Sequence, residues 1–110
     1  MRVFPIDGVA TTYESLTTAT AVGFTSAKIL PVTGNYVGKQ ARAVLISVET
    51  ADIRFTFDGT TPTTTAVSAV GHLLRNGQSY EIFGEENVAK FQCINAVAAS
   101  GAVVKCTFRF

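Results

Sequence analysis

Charge is scarce in this chain. Only 15% of its residues are charged, against roughly 25% in an average soluble protein. The formal net charge is +1 and the cations are scattered, so we expect no nucleic-acid partner, because such binding depends on a dense basic surface. With 47% hydrophobic residues, the chain must bury much apolar surface in its core or in contacts with other molecules. We therefore predict a homo-oligomer (dimer or trimer) or a component of a larger assembly. The alternative is an ordinary small β-sandwich with a Thr-rich face.

Long apolar runs are also missing. No stretch approaches the roughly 18 consecutive apolar residues of a membrane span, so no membrane partner is expected. The first residues lack the charged-then-apolar layout of a secretory signal peptide, which predicts synthesis in the cytoplasm without export by the usual route. The length of 110 residues suits a single domain.

Cysteine and histidine are too few for a typical metal centre. Cys93 and Cys106 are the only cysteines and His72 is the only histidine, whereas a zinc site takes several such ligands at short spacings. We predict no metal and no cofactor. Two buried, reduced thiols are the favoured interpretation of the cysteines. A hairpin turning at residues 99–100 would instead place them opposite each other, where they could pair.

No catalytic pattern surrounds the remaining polar residues. His72 has no nucleophile motif beside it. Glu85 and Glu86 are adjacent, whereas glycosidases place two carboxylates across a cleft. Asp58 begins an Asp-Gly-Thr turn without the further oxygen ligands of a calcium loop, so we predict that it caps the turn. The protein is predicted not to be an enzyme.

Period-two alternation is abundant, and it is typical of half-buried strands. Residues 42–48 and 53–57 alternate in this way, and the short link between them predicts an antiparallel hairpin. The Asn76-Gly77 turn predicts a second hairpin. Residues 21–24 resemble a short apolar turn, 25–30 a strand or one helical turn, and 84–90 the strongest helical piece. The other predicted strands are residues 13–17, 71–74, 79–83, 91–95 and 103–110.

These elements predict an all-β fold, an antiparallel β-sandwich of about seven or eight short strands, with a jelly roll as one candidate topology. Residues 13–110 form the single predicted domain. Residues 1–12 form an N-terminal arm, because Pro5 and Asp7-Gly8 interrupt any regular ladder. The first candidate interface residues are the apolar side chains of the arm, Val3, Phe4 and Ile6. The second candidates are Arg42, Arg54, Thr60, Thr61, Thr63 and Thr64.

Residues 48–63 carry a resemblance to a known family. Their sequence is Val-Glu-Thr-Ala-Asp-Ile-Arg-Phe-Thr-Phe-Asp-Gly-Thr-Thr-Pro-Thr, and it resembles small virion proteins of tailed bacteriophages. In those proteins a strand ending in Glu-Thr-Ala leads into an Ile-Arg-aromatic strand and an Asp-Gly-Thr-x-Pro-Thr turn. Gly-His-Leu-Leu at 71–74 and Asn-Val-Ala-Lys-Phe at 87–91 are similar too, so the resemblance covers about residues 41–110.

The resemblance implies a non-enzymatic decoration or cement protein of the phage head. Such a protein is made in the bacterial cytoplasm, binds the major capsid protein at the capsid surface of the virion and stabilises the shell. A tail or neck position is one alternative. Because the Asp-Gly-Thr-x-Pro-Thr turn also occurs in β-sandwich modules of chitin- and sugar-degrading enzymes, a carbohydrate-associated accessory module is another. The absence of tryptophan, a common sugar-stacking residue, weakens that alternative.

Overall fold

The computed structural model describes residues 10–34, 36–64 and 69–110. Within them, the alternating segments form seven strands and two short helices. The strands are β1 (Ala10–Thr17), β2 (Ala43–Glu49), β3 (Ile53–Thr56), β4 (His72–Leu74), β5 (Ser79–Phe83), β6 (Gln92–Asn95) and β7 (Val103–Arg109). The helices are α1 (Ser26–Ile29) and α2 (Glu85–Lys90).

The predicted arm is only partly described. Strand β1 begins at Ala10, so residues 10–12 belong to the sheet and the predicted strand start at residue 13 is too late. The backbone of Ala10 pairs with Arg109 of β7. Val3, Phe4 and Ile6 lie outside the described residues, and their interface role stays a prediction.

Two antiparallel sheets pack face to face. The four-stranded sheet has the order β1-β7-β2-β5 and the three-stranded sheet the order β4-β3-β6. Their inward side chains form one core, to which the first sheet contributes Val44 and Phe108 and the second Ile53 and Phe55. This arrangement confirms the predicted all-β sandwich and its number of strands.

A fourth strand at the edge beside β6 would complete two four-stranded sheets, as in a jelly roll. The described residues form a single bridge at that edge. There Val22 N donates to Cys93 O at 2.9 Å, and Cys93 N donates to Val22 O at 2.8 Å. A Cβ on Gly23 would lie 2.8 Å from the Phe91 carbonyl oxygen, so glycine permits the close backbone approach. The segment predicted as a turn at 21–24 thus forms one antiparallel bridge with the edge strand β6.

Both predicted hairpins are wrong. Strands β2 and β3 lie in different sheets, and so do β4 and β5. Each of these strands has one apolar face. A strand that crosses to the opposite sheet buries this face as well as one that pairs with its neighbour in sequence. Thr50, with φ 78°, lies in the first crossing. Asp52 O then accepts a hydrogen bond from Ala96 N at 3.0 Å, which joins this link to the one after β6.

The cysteines also lie in opposite sheets, so the hairpin that would have paired Cys93 with Cys106 does not form. Both are buried free thiols, as the favoured interpretation predicted. Burial raises the pKa of Cys93 from 9.0 to about 12. Burial likewise raises the pKa of Cys106, with smaller contributions from Cys93 and Glu14.

The two ends of the sandwich differ. At one end, the links after β1, β2, β4 and β6 are short and bonded to one another: Thr18 Oγ1 donates to Ala102 O at 3.1 Å and Asn76 N donates to Asp52 Oδ1 at 2.7 Å. The other end carries the longer segments, including both helices and the threonine-rich loop. The helices confirm the single turn and the helical piece predicted from sequence, and Val88 of α2 packs into the core.

Candidate functional site

The edges of the two sheets meet beside β4 and β5, which are joined by the turn at residues 75–78. Two adjoining cavities of about 300 and about 270 Å³ open there, and Phe57 and His72 line both of them. We call the two together the edge cleft. Its walls include Phe55, Phe57, Asp58, Thr60, His72 and Tyr80.

Four aromatic rings line the edge cleft. Phe55 and His72 are partners in the β3–β4 register, so both side chains project from the inward face. Their ring centroids lie 5.6 Å apart, and the Phe55 and Tyr80 centroids 5.3 Å apart. Phe57 stacks on His72 at 6.0 Å. Tyr80 remains 41% exposed, so its ring is accessible to a partner.

The floor of the edge cleft continues into the core. The Phe55 ring lies 6.0 Å from the Phe91 ring, which stacks on Phe24 at 4.4 Å. Phe24 in turn meets Phe108 edge-on at 5.0 Å. Because Phe91 and Phe108 are fully buried, the cleft floor is held by close-packed neighbours and is largely pre-formed.

Asp58 supplies the charge of the edge cleft. Its Oδ1 accepts a hydrogen bond from Thr60 N at 3.0 Å, which confirms the predicted turn cap. Hydrogen bonds from the Thr60 backbone and side chain, with a smaller contribution from His72, hold the pKa of Asp58 below its usual value. In the described part of the chain, salt bridges join Glu86 with Lys90 and Glu81 with Arg109, and neither involves Asp58.

The threonine-rich loop borders the same cleft. Thr60, Thr61 and Thr63 are exposed and Thr64 is half-buried. The base of the loop is fixed, because Thr63 N donates to Val70 O at 3.0 Å and Thr63 Oγ1 accepts from Val70 N at 2.8 Å. The predicted threonine candidates thus lie together beside the cleft, with Thr60 in its wall.

The two predicted arginines do not join them. Arg54 alternates with the buried Ile53 and Phe55, so its side chain lies on the outer face of the three-stranded sheet, where Nη1 donates to Gly71 O at 3.1 Å. Arg42 precedes β2, and its Nη2 donates to Phe110 O at 2.8 Å. Arg42 borders a separate cavity of about 520 Å³ that Glu85 also lines. The predicted residues therefore fall on separate surfaces.

The edge cleft could not be predicted from the sequence, because its walls come from both sheets. The available signal was the alternation that places Tyr80 on the inward face of β5 with Ile82, although Tyr80 is exposed at the sheet edge. Ring faces beside one fixed carboxylate can bind a cation or stack on a flat ligand.

The described residues contain no group of three or more His, Cys, Asp or Glu side chains placed to hold a metal ion. No helix among them has the length and apolar character needed to cross a membrane. Comparisons of the chain with protein-family models, with curated proteins and with solved structures found no match in any of the three.

Proposed function

We propose that this chain is a non-enzymatic structural protein of a bacteriophage virion. It acts as a decoration or cement protein, binding the major capsid protein at the capsid surface and stabilising the head. The observation that favours this function is the exposed apolar edge cleft beside an exposed threonine-rich loop. The resemblance of residues 41–110 to small virion proteins of tailed phages points in the same direction.

Apolar groups around the cleft are available for contact. Val70, Leu73 and Tyr80 are exposed, and they border polar groups of the loop. An apolar patch rimmed by polar residues is typical of a protein-contact surface. The threonine hydroxyls can donate to or accept from a partner's backbone. Each contact is weak, but repetition over a symmetric shell strengthens the whole.

The fold and composition are compatible with this role. Jelly rolls build viral capsid domains as well as lectins, although a fold alone does not specify a function. The low charge of the chain favours a shared surface, and we propose a dimer or trimer on the particle. The two buried free thiols suit a protein made in the reducing bacterial cytoplasm.

The test is co-sedimentation of the purified protein with capsids that lack it, together with its mass in solution. Saturable binding at a fixed ratio to the major capsid protein is expected. Tyr80→Ser should weaken that binding, whereas Tyr13→Ser, a matched change of an exposed tyrosine on the distant edge strand β1, should not. Equal effects of the two variants would contradict the assignment of the edge cleft.

Deletion of residues 1–8 tests the predicted arm. It should weaken capsid binding and leave the melting temperature of the domain nearly unchanged. If the truncated protein is unfolded by circular dichroism, the deleted residues belong to the fold and are not a docking arm.

The edge cleft also favours a second candidate, the carbohydrate-associated accessory module. The stacked Phe57 and His72 rings offer faces to a sugar ring, and the Asp58 carboxylate can accept hydrogen bonds from its hydroxyls. Retention on insoluble polysaccharide without capsid binding would replace the first proposal with this one. If the protein binds neither, a tail or neck position becomes the leading proposal.

A further inference from the structure

We propose that the edge cleft binds the guanidinium group of an arginine side chain presented by the protein on which this chain docks. The inference rests on the proposed function and names the chemistry of the partner at that site. The two cavities of the cleft have volumes of about 300 and about 270 Å³, and each is at the lower limit of ligand pockets, about 300 Å³. Each cavity therefore suits a single side chain.

The rings favour a positive group. An aromatic face carries a negative electrostatic potential, and a cation is attracted within about 6 Å of the ring centroid. The rings of Phe57 and Tyr80 lie at the opening of the cleft, with Phe55 between them. A flat guanidinium can lie against such a ring while its N–H groups point outward along its plane.

Asp58 supplies the matching negative charge at the same opening. Its Oδ1 is held by Thr60 N at 3.0 Å, and the carboxylate is exposed. It can therefore accept further hydrogen bonds from a guanidinium, which donates from two neighbouring nitrogens. Charge complementarity thus selects a cation over a neutral or acidic side chain.

The nearby arginine of the chain itself does not occupy the cleft. Arg54 lies on the opposite face of the three-stranded sheet and donates to Gly71 O at 3.1 Å. Among the described residues, no arginine lines either cavity, so the edge cleft can receive an arginine from another molecule.

The first experiment is an NMR titration of the whole protein with N-acetyl-arginine amide. N-acetyl-citrulline amide, which has nearly the same shape and no charge, is the matched control. Saturable shifts at Phe57, His72 and Tyr80 are expected with arginine, and the citrulline compound should bind at least about fivefold more weakly. Equal affinities, no saturable shift or shifts confined to another surface would overturn the proposal.

Three variants separate charge from shape. Asp58→Asn keeps an oxygen that can cap Thr60 N but removes the charge, and Phe57→Leu keeps apolar bulk but removes the ring. Each should weaken arginine binding about fivefold. Glu49→Gln, which removes an exposed acid at the far end of β2, should leave it unchanged. Wild-type affinity in Asp58→Asn, or an equal loss in Glu49→Gln, would refute the assignment.

Capsid binding by the same variants tests the proposed function separately from the arginine site. If arginine binds at the cleft but capsids do not bind, the cleft chemistry stands and the cement function fails. If capsids bind and arginine does not, the function stands and this inference fails. Retention on polysaccharide that depends on Phe57 but not on the charge of Asp58 would assign the cleft to a sugar and overturn the arginine site.

Discussion

Replacing Asn95 with alanine is expected to lower the free energy of unfolding by about 2–3 kcal/mol. Asn95 and Thr18 are 2% and 1% exposed, and both lie at the end of the sandwich that carries the short links. Asn95 Oδ1 accepts hydrogen bonds from Thr18 Oγ1 and from Ala102 N, the latter at 3.1 Å. One side chain therefore joins the links that follow β1 and β6.

The magnitude follows from the groups left behind. Without Asn95 Oδ1, the buried Ala102 N–H loses its acceptor, which costs about 1–3 kcal/mol. The Thr18 hydroxyl is less affected, because Ala102 O lies 3.1 Å away and can accept its proton. The small cavity left by the amide adds to the loss. At about 4–8 °C per kcal/mol for a domain near this size, the melting temperature should fall by about 10–20 °C.

Thr18→Val is the matched comparison, because it keeps the shape and removes only the hydroxyl. Asn95 Oδ1 then keeps its bond to Ala102 N, so the expected loss is only about 1 kcal/mol. Urea unfolding followed by circular dichroism measures both, since the chain has no tryptophan. Losses in the double variant should be less than additive. A larger loss in Thr18→Val than in Asn95→Ala, or strict additivity, would refute the network.

Three further predictions concern the two cysteines and the edge bridge beside Gly23. Native Cys93 and Cys106 should not react with a thiol reagent at pH 8, whereas two thiols per chain should react in guanidinium; rapid native labelling would contradict their burial. Folding raises the pKa of Cys93 from 9.0 to about 12. The stability that comes from keeping this thiol neutral is therefore complete below about pH 9 and is lost as the pH rises toward 12. Urea titrations should show a smaller loss in Cys93→Ala. Gly23→Ala should cost about 1–3 kcal/mol by crowding the Phe91 carbonyl, and an unchanged urea midpoint would contradict the close approach.

Strands and their faces could be predicted from the sequence, because alternation records which side of each strand is buried. Val104, Cys106 and Phe108 all point inward from β7 as predicted. Strand pairing could not be predicted in the same way. A link as short as residues 50–52 suits a hairpin and a crossing between sheets equally well, and alternation is identical in the two cases. The segment at Val22 forms one bridge, so it is too short to show period-two alternation in the sequence.

The candidate site was predicted only in part. The threonine-rich loop was identified from its composition and its proline, and the structure places it beside the edge cleft. The cleft itself depends on which sheet edges meet, so it requires the topology. Arg42 and Arg54 illustrate the same limit. Their positions in the sequence do not indicate that Arg42 borders another cavity and that Arg54 lies on the outer face of its sheet.

Pairing between β1 and β7 also governs when the domain can fold during synthesis. Strand β7 lies between β1 and β2, and Ala10 pairs with Arg109. The four-stranded sheet therefore cannot form until β7 has left the ribosome. Until then, the apolar faces of β1 and β2 stay exposed. Pairing over such long separations makes folding slow, and exposed strand edges invite aggregation in the meantime. We expect the nascent chain to need shielding by chaperones until β7 emerges.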